Sequence, residues 1–172
     1  RVILPGVGAF STAMANLRTT GFEDSVKNFV NTGRPFLGIC VGMQLLMEHS
    51  SELGSHQGLS LISGNVEKLA FCHNSAPKIR IPHIGWASVK INGTESKASQ
   101  YKTVLFPDDE YYYFVHSYAC RPLFKGDGLA TCDYGGQKII AAIGRGNIIG
   151  VQFHPERSGQ AGLSFLQRFL TI

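Results

Sequence analysis

The sequence predicts an α/β fold, a sheet alternating with helices and carrying an antiparallel insertion or extension. Two observations carry this. Short apolar runs with strand character (Val2-Ile3-Leu4, Phe36-Leu37-Gly38-Ile39, Ile148 to Phe153) alternate with segments of helical pattern. The middle of the chain instead mixes Pro77, Pro82, Gly85 and Gly93 with alternating apolar residues, which suits antiparallel strands and loops. At 172 residues, 44% apolar and 16% charged, the chain makes one domain, 1–172, with a sizeable core.

Taken in order, Arg1 to Leu4 is a strand that breaks at Pro5-Gly6-Val7-Gly8, a loop rich in exposed amides where an oxyanion or substrate can dock. Ser11 is placed to cap a helix through about Thr19. Phe22 to Asn31 reads as a second helix, with Gly33 after its end. A buried strand then leads to Gly38-Ile39-Cys40-Val41-Gly42 and a helix over Met43 to Glu48 that ends near Ser50. Glu52 to Gly58 is turn-like, and Leu59 to Leu69 is a loop entering a strand. Phe71 to Val104 is irregular apart from the alternation at Trp86 to Ile91. Tyr111 to Val115, Leu129 to Cys132, Ile139 to Ile143 and Ile148 to Phe153 are strands. Gly135-Gly136 lies between the second and third of these, and Gly144 to Asn147 makes a tight hairpin between the last two. A final helix, about Gly159 to Leu170, places Leu163, Leu166, Phe169 and Leu170 on one face.

Composition narrows the function. The four cysteines (Cys40, Cys72, Cys120, Cys132) are scattered, which fits a reducing cytoplasm rather than a disulfide framework. Neither they nor the six histidines have metal-site spacing, so no metal is expected. The net charge of +4 is dispersed, without the basic run of a nucleic-acid binder. No apolar run is long enough for a membrane span. The chain opens at Arg1 directly into a strand, as if a beginning were missing.

Chemistry concentrates at two places. Gly38-x-Cys40-x-Gly42 at a strand-to-helix corner resembles the elbow that presents a nucleophile, and a helix N-terminus favours a thiolate. A buried cysteine beside an apolar strand is the plainer reading of a lone cysteine, without the two glycines. The candidate base is His154, in a strand end that reads His154-Pro155-Glu156. In extended chain His154 and Glu156 face one way, and Pro155 stiffens the pair. A carboxylate there orients the imidazole and stabilises its protonated form. Taken alone, a surface His-Pro-Glu turn is the ordinary alternative.

With these residues in view, the chain resembles the class I glutamine amidotransferases, and among them the glutaminase subunits of imidazole glycerol phosphate synthases. The segments that carry the likeness are Pro5 to Phe10, Gly38 to Gln44, Pro82-His83-Ile84-Gly85-Trp86, Tyr113 to Tyr118 and Val151 to Glu156. The likeness spans essentially the whole chain. It implies a flavodoxin-like three-layer sandwich with a mixed, mainly parallel sheet, and a strand-helix-strand ahead of Arg1 that this sequence lacks. It implies hydrolysis of L-glutamine by a Cys40, His154, Glu156 triad without a cofactor. The ammonia passes to a synthase (cyclase) subunit, as a heterodimer.

By the same resemblance the oxyanion hole is Val41 N–H with Val7 or Gly8. Gly6, Gln44, Glu52, Ser117 and Tyr118 bind substrate, with Glu52 toward its ammonium and the backbone of Ser117-Tyr118 toward its carboxylate. Trp86, Tyr113 and Arg157 form the partner interface. Arg157 stands where the family usually has lysine, and Ala87 where asparagine is common. These departures keep open a paralogue serving a surface-polysaccharide synthetase. A non-catalytic scaffold, and a cysteine peptidase or γ-glutamyl hydrolase of related fold, are the other readings.

Overall fold

The computed structural model describes residues 1–70, 79–93, 99–107 and 109–172. Cys72, Pro77 and part of the stretch expected to be irregular lie outside them.

β1 (Val2–Gly6) leads into α1 (Phe10–Thr19) and α2 (Phe22–Asn31), and the chain returns as β2 (Phe36–Cys40). Every residue of β2 is buried, as an apolar strand with neighbours on both sides must be. The expected Ser11 cap is not used. Ala9 occupies the cap position without a side-chain bond, and the Phe10 N–H donates instead to Glu52 Oε2 at 2.7 Å. A carboxylate there meets both an unpaired amide and the positive end of the helix.

The helix after Cys40 is shorter than its composition predicts. α3 covers only Val41–Gln44. The carbonyls of Leu45, Leu46, Met47 and Glu48, which a continuing helix would use, accept N–H groups from Leu59, Leu61, Ser60 and Gly58. Tertiary pairing has overridden helix propensity here.

Three short strands follow: β3 (His49–Ser50), β4 (His56–Gln57) and β5 (Gly64–Lys68). Then come β6 (His83–Ile91), α4 (Ser99–Leu105), β7 (Glu110–His116) and β8 (Tyr118–Pro122). The helix α4 was not legible among the irregular residues. β9 (Gly128–Tyr134), β10 (Gln137–Arg145), β11 (Ile148–Val151) and α5 (Gly159–Phe169) complete the chain, with a 3-10 turn at Pro155–Arg157 before α5.

The strands form a seven-stranded sheet, β1-β2-β11-β10-β9-β6-β7, and a smaller one, β4-β3-β5-β8. The large sheet is mixed, but parallel pairing is confined to β1, β2 and β11 rather than dominating. The remaining ladders are antiparallel. Two-residue hairpins decide this: Gly135 and Gly136, at φ 62° and 75°, join β9 to β10, and Gly146-Asn147 joins β10 to β11. So tight a loop cannot make a parallel crossover.

The face of α5 also differs from expectation. Gly162, Phe165 and Phe169 are buried, while Leu163 and Leu170 are exposed. A Cβ on Gly162 would lie 1.8 Å from Pro155 O, so the helix backbone rests directly on the 3-10 turn. That contact turns Gly162 inward and carries Leu163 outward. It also brings Phe165 into an aromatic cluster with Phe153, Tyr112 and Phe106, the Phe153 and Tyr112 rings stacking at 4.0 Å. Each buried ring contributes roughly 1.5–3 kcal/mol. Together they anchor the residue just before His154. Among the described residues no helix is long and apolar enough to cross a membrane.

Candidate active site

Cys40 ends β2 with φ 54° and ψ −111°, a conformation that costs a non-glycine residue about 1–3 kcal/mol. The flanking glycines do not take the strained angle. Their task is close approach: a Cβ on Gly42 would fall 1.9 Å from Leu4 O, and one on Gly38 2.6 Å from Gly42 O. The corner is therefore packed tightly enough to hold the cysteine in its strained turn. Gly6 belongs to this packing, since its Cβ would meet Gly42 N at 2.7 Å.

The thiol is 5% exposed, and burial pushes it up to about 11. Glu156 adds to that rise, while hydrogen bonds from Val41 N–H and the Gln152 side chain oppose it. The expectation that a helix start would favour thiolate does not hold for the resting protein. A single helical turn offers little dipole against the loss of water.

His154 follows β11 and is buried, whereas Glu156 is exposed. Nδ1 lies 2.7 Å from Glu156 Oε1. A carboxylate accepts, so Nδ1 carries the proton and Nε2 keeps a free lone pair. Nε2 is buried and hydrogen-bonds nothing.

Cys40 and His154 line one cavity of about 400 Å³. Val7, Gly8, Val41, Gln44, Glu52, Ser117, Tyr118 and Arg157 line it too. Gly6 lines a second, more apolar cavity behind β1. Trp86 and Tyr113 stand outside, ring edge to ring at 6.1 Å, and the Arg157 guanidinium lies 4.7 Å over the Tyr113 ring. The structure thus gathers most of the residues singled out in sequence around one space, with the aromatic pair on its rim.

The family profile of Glutamine amidotransferase class-I matches residues 1–172. The chain belongs to the class I glutamine amidotransferases. It is 42% identical over 174 residues to an imidazole glycerol phosphate synthase subunit HisH 1 of Legionella pneumophila (strain Paris), covering 100% of this chain and 81% of that protein. It is 45% identical to subunit HisH of Synechococcus sp. (strain CC9605), covering 99% and 75%. Among solved structures, one described as a glutamine amidotransferase superposes with TM-score 0.65 at 22% identity, covering 97% of this chain and 77% of that one. PurLQS from Thermotoga maritima gives 0.64 at 18%, covering 98% and 78%. These last two support the fold.

Sequence reasoning missed four residues in this amidotransferase. Ser158, 1% exposed, donates to His154 C=O. His83 and His116, buried across the β6–β7 ladder, pair through Nδ1 and Nε2 at 3.0 Å. Gln152 reaches Cys40. His83, His116 and Gln152 sit inside quoted motifs and Ser158 two residues past one, but their roles depend on partners more than thirty residues away or on a turn too local to carry a pattern.

Proposed function

We propose that this chain hydrolyses the side-chain amide of L-glutamine to glutamate and ammonia. The ammonia passes to a synthase (cyclase) subunit that makes imidazole glycerol phosphate and AICAR in histidine biosynthesis. The proteins it matches at 42% and 45% identity carry that synthase's name. The observation that carries the chemistry is His154 Nε2, buried and unpartnered in a residue that lines the same cavity as Cys40, with its tautomer fixed by Glu156.

Cys40 gives its proton to His154 Nε2, and the sulfur attacks the amide carbon. Negative charge forms on the amide oxygen, where Val41 N–H and a backbone N–H of Val7 or Gly8 receive it. One such donor contributes on the order of 10²–10³ in rate. His154 then gives the proton to the departing nitrogen and ammonia leaves. Water attacks the thioester, passing a proton to His154. The C–S bond breaks, glutamate leaves, and the sulfur recovers its proton.

Hydrogen bonds already made limit what the substrate residues can offer. The Gln44 NH₂ is committed to Tyr118 C=O and Gln152, and Glu52 Oε2 to Phe10 N–H. Each keeps one oxygen, an acceptor suited to the substrate ammonium. Ser117 C=O accepts from Leu69 N–H, and Tyr118 C=O from His116 and Gln44. This segment therefore meets the substrate carboxylate through N–H groups.

The test is glutamate formation from free glutamine. Cys40→Ala should abolish it while preserving synthase binding; hydrolysis at the parent rate would displace Cys40 as nucleophile.

A further inference from the structure

Gln152 is 0% exposed, and neither the proton path nor the substrate contacts above use it. A buried primary amide presents either its NH₂ or its oxygen to a neighbour. Which end faces Cys40 is decided at the far end of a chain of contacts. There Tyr118 C=O can only accept, taking His116 Nδ1–H at 2.8 Å and Gln44 Nε2–H at 3.2 Å. That fixes the Gln44 amide with its NH₂ inward, and its second hydrogen goes to Gln152 Oε1 at 3.1 Å. Gln152 consequently turns its own NH₂ to the nucleophile, with Nε2 3.7 Å from Cys40 Sγ. Rotating that amide would set two NH₂ groups against each other and an oxygen against sulfur, leaving buried groups unpaired.

We propose that Gln152 is a catalytic residue: its side-chain amide, held donor-forward by Gln44 and the Tyr118 carbonyl, hydrogen-bonds the Cys40 sulfur and stabilises the thiolate. This rests on Cys40 being the nucleophile of the proposed glutaminase. Sulfur carries negative charge twice in that cycle, once its proton has passed to His154 and again when the thioester C–S bond breaks. A fixed neutral donor supports both states and needs no proton exchange of its own. The support is needed here, because burial is the largest influence on this thiol and favours its neutral form. The same contacts make Gln44 a positioning residue for Gln152, in addition to any contact it makes with substrate.

The test reads the sulfur directly, without glutamine. Iodoacetamide reacts with thiolate, and alkylation of Cys40 is followed by peptide mapping in the full chain from about pH 6 to 10. Gln152→Met removes the donor at similar volume. Gln152→Glu keeps the shape and replaces NH₂ by a carboxylate oxygen. At about pH 8, Cys40 alkylation should slow roughly tenfold in Gln152→Met and more in Gln152→Glu, with the pH profile displaced upward and kcat falling in step. An unchanged alkylation profile overturns the donor role even if kcat drops, because a packing defect lowers turnover without moving the titration of Cys40. Should both variants fail to fold, Gln44→Leu frees the Gln152 amide to rotate and must also slow alkylation; the parent profile there overturns the proposal. Two results separate this inference from the proposed activity. Shifted profiles in the variants, with a parent that does not hydrolyse glutamine, keep the donor and remove the glutaminase. Hydrolysis with no shift does the reverse.

Discussion

Ser158 Oγ lies 2.6 Å from the His154 carbonyl oxygen and donates to it. The same hydroxyl accepts Tyr113 N–H at 2.9 Å, and Tyr113 C=O accepts His154 N–H at 2.9 Å. β7, at the sheet edge, and the His-Pro-Glu segment are thereby closed into a ring of hydrogen bonds around the proposed base. The ring aims the imidazole from behind, while Glu156 aims it from the side.

Ser158→Ala leaves Tyr113 N–H without its partner and His154 C=O with Arg157 N–H alone. It should lower stability by about 1–3 kcal/mol. Because it loosens the base and not the substrate contacts, kcat should fall about tenfold with KM for glutamine within about threefold. Steady-state kinetics and chemical denaturation on the same preparation check this. Lost stability with unchanged kcat would make the ring structural only.

The corner at Cys40 and the contact of His154 with Glu156 were legible because local rules place them. A cysteine between two glycines makes a corner, and i, i+2 spacing in extended chain puts a carboxylate beside an imidazole. Helix α2 was legible to the residue for the same reason, its amphipathic pattern being local. What escaped was set by distant chain. α3 stops at Gln44 because residues 58–61 take the carbonyls of Leu45 to Glu48. α5 turns Leu163 outward because Gly162 must touch Pro155. Gln152 faces Cys40 because the Tyr118 carbonyl, from another sheet, can only accept.

The His83–His116 pair predicts an acid limit to stability. Burial lowers both imidazoles to about 4, and the bond between them needs an unprotonated His116 Nε2 to accept His83 Nδ1–H. Their folded values lie below the ordinary value near 6.5, so between about pH 6.5 and 4 the unfolded chain binds more protons. Stability therefore falls as pH falls through that window, by up to about 1.4 kcal/mol per pH unit for each proton taken up. His83 also stacks on Tyr134 at 3.9 Å, so His83→Phe keeps an aromatic ring while removing one titrating group. Urea unfolding between pH 7 and 5 should show a shallower pH dependence in that variant. An unaltered slope would mean that the pair is not what acid disrupts.

The remaining prediction concerns the partner. Trp86 is 55% exposed, and with Tyr113 and the stacked Arg157 it forms an aromatic and cationic cluster at the cavity rim. Such clusters are typical anchors of protein interfaces. Tyr113 also holds His154 and Ser158 through its backbone, so a partner seated on this face presses on the residue that carries the base. In the cavity lining Val7 is 80% exposed, and Gly8 sits at φ 85°, a glycine conformation that lets the loop present its amides in more than one way. Docking that favours the donor-forward loop raises turnover without altering the proposed triad. Glutaminase activity should therefore be low alone and rise strongly with the synthase plus its acceptor. The rise should appear mainly in kcat, since the oxyanion contact forms in the transition state. Trp86→Ala should weaken synthase binding about thirtyfold or more, the loss of a buried anchor, and leave the basal rate unchanged. Glutamate formation and synthase titration measure both. Equal kcat with and without synthase removes the gating, and full synthase affinity in Trp86→Ala moves the docking surface away from this rim.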